Sequence, residues 1–170
     1  FHAQPNGCDK CGPKVFICDE EGNELNSVDP IKDTARALKR GAIVAIKGIG
    51  GFHLACDARN VEVINKLRLK KKRPRKPLAV MMKDISTVKK YCKVNELEEK
   101  ILLGRKKPIL LLDKIDNCNL PKEITSLNNG KLGVMLPYTP LHHILFKEEI
   151  DILVLTSANI SGEPMVYKND

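Results

Sequence analysis

Tryptophan is absent from this chain, and aromatic residues make up only 4% of its 170 positions. The core must therefore be aliphatic, built from Ile, Leu, Val and Met. Scarce aromatics also disfavour a binder of single-stranded nucleic acid, because such surfaces need exposed rings on which bases stack. No apolar stretch approaches the roughly 20 residues of a membrane span, so no membrane partner is expected. The residues from Phe1 onward do not read as a secretory leader. The first residue is not Met, and a piece of a longer polypeptide is expected. Cysteine offers no disulfide framework: of Cys8, Cys11, Cys18, Cys56, Cys92 and Cys118, only the first two have ligand spacing. In a lysine-rich chain this pattern reads as reduced thiols in a cytoplasmic protein. Neither G-x-G-x-x-G nor a P-loop occurs, and no nucleophile, base and acid stand in a recognisable arrangement. Any chemistry should run on positioning and charge stabilisation.

What is present is a concentrated positive charge. Lys66–Lys76 (KLRLKKKRPRK) holds eight Lys or Arg in eleven residues, as many as the formal net charge of +8. Outside it, bases and acids balance at 21 each. An excess confined to one stretch points to a local anionic partner rather than to general solubility. Such a run is ordinarily a solvated helix face followed by a basic loop. Here Pro74 and Pro77 stiffen the end of the run as it leads into the apolar Leu78–Met82. Cations on a stiff loop beside a buried strand suit phosphate binding. As exposed loop charges they should matter little to stability.

Residues 1–28 are rich in Gly, Pro and Asn and read as an appendage with one hairpin, Val15–Cys18 turning at Glu20–Asn23. Residues 29–170 read as an α/β domain. Helices are expected from Asp29-Pro30 to the stop at Gly41, over 61–70 behind Asn60, and over 85–91 behind Asp84. Two more should run from Asn95 to Gly104 and over Leu141–Phe146 behind Thr139-Pro140. Strands are expected at Ala42–Lys47, Leu78–Met82, Ile109–Leu112, Gly133–Leu136 and Ile152–Leu155. They are apolar throughout, as when helices cover both faces of a sheet. The expected fold is α/β: a twisted, mixed, partly parallel sheet with helices on its faces.

Four local features could carry chemistry. Gly48-Ile49-Gly50-Gly51 follows a strand and could admit a ligand to the backbone, although a plain tight turn reads equally well. Thr156-Ser157-Ala158-Asn159 sits at a strand's carboxyl end, where open sheets place ligands, and reads equally as a helix cap or Asx-turn. Cys8-Asp9-Lys10-Cys11 has the spacing of half a zinc knuckle; Cys18 or His2 could contribute, but the remaining ligands are expected outside this chain. His142 and His143 are adjacent, so on a helix they diverge by about 100° and chelate one metal poorly. At least one of them reads as a core or helix-start residue.

Taken in order, Lys47–Asn60 (KGIGGFHLACDARN), Lys71–Met81 (KKRPRKPLAVM), Gly133–Leu145 (GVMLPYTPLHHIL) and Leu155–Pro164 (LTSANISGEP) resemble one family. It is the YrdC-like domain of HypF-type carbamoyltransferases, the hydrogenase-maturation proteins. The opening FHAQPNGCDKCGP resembles the end of that family's zinc-finger region, which implies Zn²⁺ in the full-length protein. The resemblance implies a basic concave cleft in which ATP, with Mg²⁺, and carbamate derived from carbamoyl phosphate become carbamoyl adenylate and pyrophosphate. The carbamoyl group would then pass to the partner HypE. Lys71 and Arg73 match the family's Lys-x-Arg-Pro motif, and Ser157 and Asn159 its Ser-x-Asn motif. The resemblance therefore implies catalytic roles for Lys71 and Arg73, and a phosphate site of Lys71, Arg73, Lys76, Ser157 and Asn159. A carbamate pocket at Gly50, Phe52 and His53 is expected.

Related enzymes that make threonylcarbamoyl adenylate for tRNA modification carry Pro-Thr-x-Thr-x-Tyr-Gly where this chain has Lys47 to His53. The lost hydroxyls suit unsubstituted carbamate better than threonine. Those enzymes also use Arg where this chain has Met135. The family continues past the position of Asp170, which implies an incomplete domain. Threonylcarbamoyl-AMP synthesis is the enzymatic alternative. An RNA-binding module with residues 66–76 as its footprint, including binding to double-stranded RNA, is the non-enzymatic one.

Overall fold

The computed structural model describes residues 8, 10–125, 130–160 and 162–169. Side-chain caps begin each helix among them. Asp29 accepts from Lys32 N before α1 (Pro30–Lys39), and Asn60 from Val63 N before α2 (Val61–Lys70). Asp84 accepts from Thr87 N before α3 (Ile85–Lys89), and Asn95 closes a capping box with Glu98 before α4 (Glu96–Leu103). Thr139 accepts from His142 N before α5 (Pro140–Leu145). Each cap satisfies an amide that the first helical turn leaves without a partner.

The hairpin of β1 (Ile17–Cys18) and β2 (Glu24–Leu25) is antiparallel. Asp19 closes it by accepting from the amides of Glu21 and Asn23, at 3.0 and 2.8 Å. The main sheet has six strands: β3 (Val44–Lys47), β4 (Phe52–Asp57), β5 (Ala79–Met82), β6 (Leu110–Asp113), β7 (Lys131–Met135) and β8 (Ile152–Ser157). Their order is β3-β4-β8-β5-β7-β6. Only the β5–β7 pair is parallel; the other neighbours run antiparallel. The expected mixed sheet is therefore present, with antiparallel pairing dominant. Strand β4 has no counterpart among the strands read from sequence. Its FHLACD run is neither uniformly apolar nor cleanly alternating, and pairing with both β3 and β8 decides its conformation.

Residues alternate between two cores, as a pleated strand requires. On one face Leu54, Cys56, Val80, Met82, Leu132, Val134, Ile152 and Val154 meet Val63, Ile64 and Leu67 of α2, Val88 of α3 and Leu102 of α4. On the other, Ile46, Ala55, Met81, Met135, Leu153 and Leu155 meet Ala35 and Leu38 of α1 and Leu145 of α5. By the same alternation His53 shares the face of Ala55, and Ser157 that of Leu155. His53 and Ser157 are direct cross-strand neighbours in the β4–β8 ladder.

Candidate functional site

The basic run leaves α2 through its C-cap, Lys71, and reverses at Lys72, whose φ of 48° ends the helix. Lys71 is not a solvated loop charge: it is 2% exposed. Its ammonium donates to the Ser157 carbonyl, to the Asn159 carbonyl at 2.8 Å and to Asn159 Oδ1 at 3.1 Å. Ser157 Oγ donates to the same Asn159 Oδ1 at 2.6 Å, and Asn159 Nδ2 donates to the Glu163 carbonyl. The Lys-x-Arg-Pro and Ser-x-Asn stretches thus meet at the carboxyl end of β8, across 86 residues of sequence. The expectation of an exposed loop charge does not hold for Lys71, and a buried ammonium with three acceptors should anchor the turn it touches.

Arg73 is half-buried, with Nη2 donating to the Pro77 carbonyl at 2.6 Å and Nε sealed from solvent without a partner. Burial lowers the pKa of Lys71 and of Arg73, and the Arg73 charge lowers that of Lys71 further. No carboxylate among the described residues forms an ion pair with either. Lys76 is exposed, and its carbonyl rather than its ammonium is engaged.

Arg68 escaped the sequence reading, which treated it as one more charge in the run. It is 9% exposed, and its guanidinium donates to backbone carbonyls on two sides. Nε reaches Glu123 O at 2.7 Å and Nη2 reaches Ile124 O at 3.4 Å, while Nη1 holds Arg73 O at 2.9 Å and Lys76 O at 3.0 Å. Its planar fork gives the 73–76 loop its shape. Only its position, three residues before Lys71 on the helix face that carries Ile64, hinted at burial.

Gly48 N donates to Gly51 O at 2.8 Å, closing the glycine turn between β3 and β4. A C-terminal strap lies across this turn: Phe52 N donates to Val166 O at 2.7 Å, and Val166 N to Ala158 O at 2.9 Å. Lys47 holds the strap through Tyr167 O and through Asn169 Oδ1 at 2.8 Å, its ammonium 4.5 Å from the Phe52 ring centroid. Gly51 has φ 143°, and a Cβ there would stand 2.6 Å from Val166 O. Gly51→Ala should lower stability by about 1–3 kcal/mol through backbone strain and loss of the strap. Urea unfolding checks this, and an unchanged midpoint would mean that the strap does not pack there.

The residues expected to line one pocket divide. Gly50 faces Met165, and Phe52 lies on the α2 side of the sheet. His53 lies on the α1/α5 side beside Ser157, its Nδ1 sealed without a partner under the glycine turn. Burial lowers the His53 pKa, and the Gly51 carbonyl opposes that shift.

At the amino end, Cys8 and Cys11 are exposed, and Gly12 N donates to Cys8 O at 2.6 Å in a tight turn. Hydrogen bonds from the Cys11 and Lys10 backbone lower the Cys8 pKa. A thiol biased toward thiolate on a tight turn fits two positions of a zinc site. Among the described residues no three His, Cys, Asp or Glu groups converge. His2 lies outside the described residues. No helix among the described residues is long and apolar enough to cross a membrane.

Comparison with known proteins identifies the family and the fold. The chain is 42% identical over all 170 residues to the carbamoyltransferase HypF of Rhodobacter capsulatus, of which it covers 22%. It thus spans about a fifth of the length of the curated relatives it matches. A crystal structure of full-length HypF in a phosphate- and nucleotide-bound form superposes with a TM-score of 0.86 at 47% identity, over 95% of this chain and 21% of that one. P. abyssi Sua5 complexed with L-threonine shares the fold, with a TM-score of 0.70 at 22% identity, over 81% of this chain and 41% of that one. The family model Sua5/YciO/YrdC, described as telomere recombination, matches residues 36–170. The chain belongs to the Sua5/YciO/YrdC family and is similar to the corresponding segment of HypF carbamoyltransferases.

Proposed function

We propose that this chain joins ATP and carbamate to form carbamoyl adenylate and pyrophosphate, as part of a carbamoyltransferase. The observation that carries this reading is the pair of a buried Lys71 ammonium and a half-buried Arg73 guanidinium, neither with a carboxylate partner among the described residues, beside a turn of hydroxyl and amide groups. Buried charge is ordinarily paired, and polyphosphate is an anion of fitting charge. The nucleotide-bound relative supports the same ligand class.

A carbamate oxygen is already anionic, so no general base is needed. It forms a bond to the α-phosphorus while the bond from that phosphorus to the bridging oxygen breaks, and the electron pair leaves with pyrophosphate. No proton has to move. Lys71 and Arg73 would offset the negative charge that builds at the α-phosphate, and Ser157, Asn159 and Lys76 would hold the polyphosphate. Mg²⁺ would arrive with ATP and share that charge. Phosphate binding would draw Lys71 Nζ and Ser157 Oγ away from the acceptors they hold here. Gly50 and His53 would border the carbamate, with Phe52 backing the strand from the other face.

In this reading residues 29–170 are the nucleotide domain and residues 1–28 the end of a zinc-bearing module, Cys8 and Cys11 supplying two of four ligands. Carbamoyl phosphate is the distal source of carbamate, HypE the acceptor protein, and the cytoplasm the compartment. The test is pyrophosphate release from Mg-ATP in the presence of ammonium carbamate. Release should depend on carbamate and be indifferent to threonine. Release that instead requires threonine with bicarbonate would move the chain to threonylcarbamoyl-AMP synthesis.

A further inference from the structure

We infer that the back of the basic loop is a docking groove for an acidic, extended segment of another protein. An open groove of about 540 Å³ lies between α2 and the two segments that Arg68 ties to it. Asn65 of α2 forms one wall, Pro74 and Arg75 of the loop a second, and Lys122 and Glu123 of the neighbouring turn a third. Arg68 lines it as well, and its bonds to the carbonyls of Glu123, Arg73 and Lys76 hold turn and loop against the helix. The groove is separate from the proposed phosphate site. Lys71, Arg73, Ser157 and Asn159 do not line it, and the Lys71 ammonium is spent on Ser157 and Asn159.

The charge around the groove is unengaged. Lys66, Lys70, Lys72, Arg75 and Lys122 are all exposed. None of their side chains has a hydrogen-bond or ion-pair partner among the described residues. The reaction proposed above uses none of them. Leu69 stands one helical turn after Asn65, on the same side of α2, and is 79% exposed.

Unengaged cations fit an anionic partner, and the other features select a polypeptide. Leu69 and Pro74 offer apolar contact that a phosphate backbone does not use. Glu123 repels a phosphate but can accept from a peptide N–H, and the Asn65 carboxamide can both donate to and accept from a peptide unit. No aromatic ring on which a base could stack lines the groove. Arg75 and Lys122 stand on different walls, which suits carboxylates spaced along a chain.

The test is fluorescence anisotropy of a short labelled peptide of alternating Glu and Leu, titrated with the chain in the absence of ATP. The peptide should bind, and more weakly as salt rises, while its Lys/Leu counterpart should not. Arg75→Glu and Lys122→Glu should each weaken binding by about ten-fold, as a like charge set against the partner does. Leu69→Ser should weaken it too. All three residues are exposed, so melting temperatures should change little. Lys106→Glu is the control, since it changes net charge equally and lies elsewhere. Lys106 precedes β6, which runs antiparallel to β5 and β7, and so lies toward their carboxyl ends. The groove lies at the amino end of β5, where Leu78 N meets Ile124 O. Equal weakening by Lys106→Glu would reduce the effect to net charge and overturn the inference. Failure of the Glu/Leu peptide to bind would overturn it as well. So would an RNA duplex that binds in its place, with Arg75 and Lys122 required and Leu69 dispensable. The readout is binding, so these outcomes are independent of the proposed reaction.

Discussion

Lys71→Ala and Arg73→Ala should each slow carbamate-dependent pyrophosphate release by about 10²–10³-fold, the usual cost of removing a preorganised electrostatic donor to a transition state. The two variants should differ in stability. Arg73 gives one charged hydrogen bond to the Pro77 carbonyl and leaves Nε unpaired, so its removal costs the fold little. Lys71 is buried and satisfies the Ser157 and Asn159 carbonyls and Asn159 Oδ1. Its removal should cost about 1–3 kcal/mol, as expected when buried acceptors lose their donor. Turnover measured beside urea unfolding separates the two effects. Full turnover in both variants would take these residues out of the chemistry. Burial, reinforced by the Arg73 charge, holds the Lys71 pKa below the ordinary lysine value. Activity should therefore fall as pH rises through a value below that of an unperturbed lysine, because the ammonium loses its charge there.

Arg68→Leu should be among the most destabilising single substitutions in the chain, by about 3 kcal/mol, because it removes a buried guanidinium that donates to several part-buried carbonyls at once. Those carbonyls belong to Arg73 and Lys76 on the basic loop and to Glu123 and Ile124 on the neighbouring turn. Arg68→Lys should rescue little, since one ammonium cannot reproduce a planar fork that spans two segments. A midpoint in urea within error of wild type would show that the loop keeps its shape without Arg68. The same variants should bind nucleotide more weakly, because Arg73 and Lys76 would no longer be held in place.

The two effects mark where reading by residue type stops. In the sequence Arg68 and Lys71 are members of one charge run, and nothing in their identity separates them from Lys70 or Lys72. The helical period does separate them. Arg68 and Lys71 follow Ile64 and Leu67 on the buried side of α2, whereas Lys70 and Lys72 point outward. Apart from Asn159 Oδ1, their acceptors are main-chain carbonyls, 55 to 88 residues away except for those in the adjoining loop. A carbonyl is common to every residue, so no sequence motif announces it. His142 belongs to the same class: the TPLHHIL stretch shows two histidines, and only the packing of α5 decides which one is sealed.

The sequence by itself determined the helix starts, because Asp29, Asn60, Asp84, Asn95 and Thr139 act on amides three residues away. It determined the apolar strands, because burial on both faces demands uninterrupted aliphatic runs. It also carried the family, through four motifs in order. The tertiary structure decided the rest. Strand β4 exists because β3 and β8 pair with both of its edges, and a single parallel pair remains where helices and strands alternate along the chain. Lys71 became an internal anchor and Arg68 a loop clamp because long-range carbonyls came within hydrogen-bond reach. Local signals act over a turn of helix or a strand's pleat, whereas the protonation, burial and partners of a charged group depend on segments that meet only after the chain has folded.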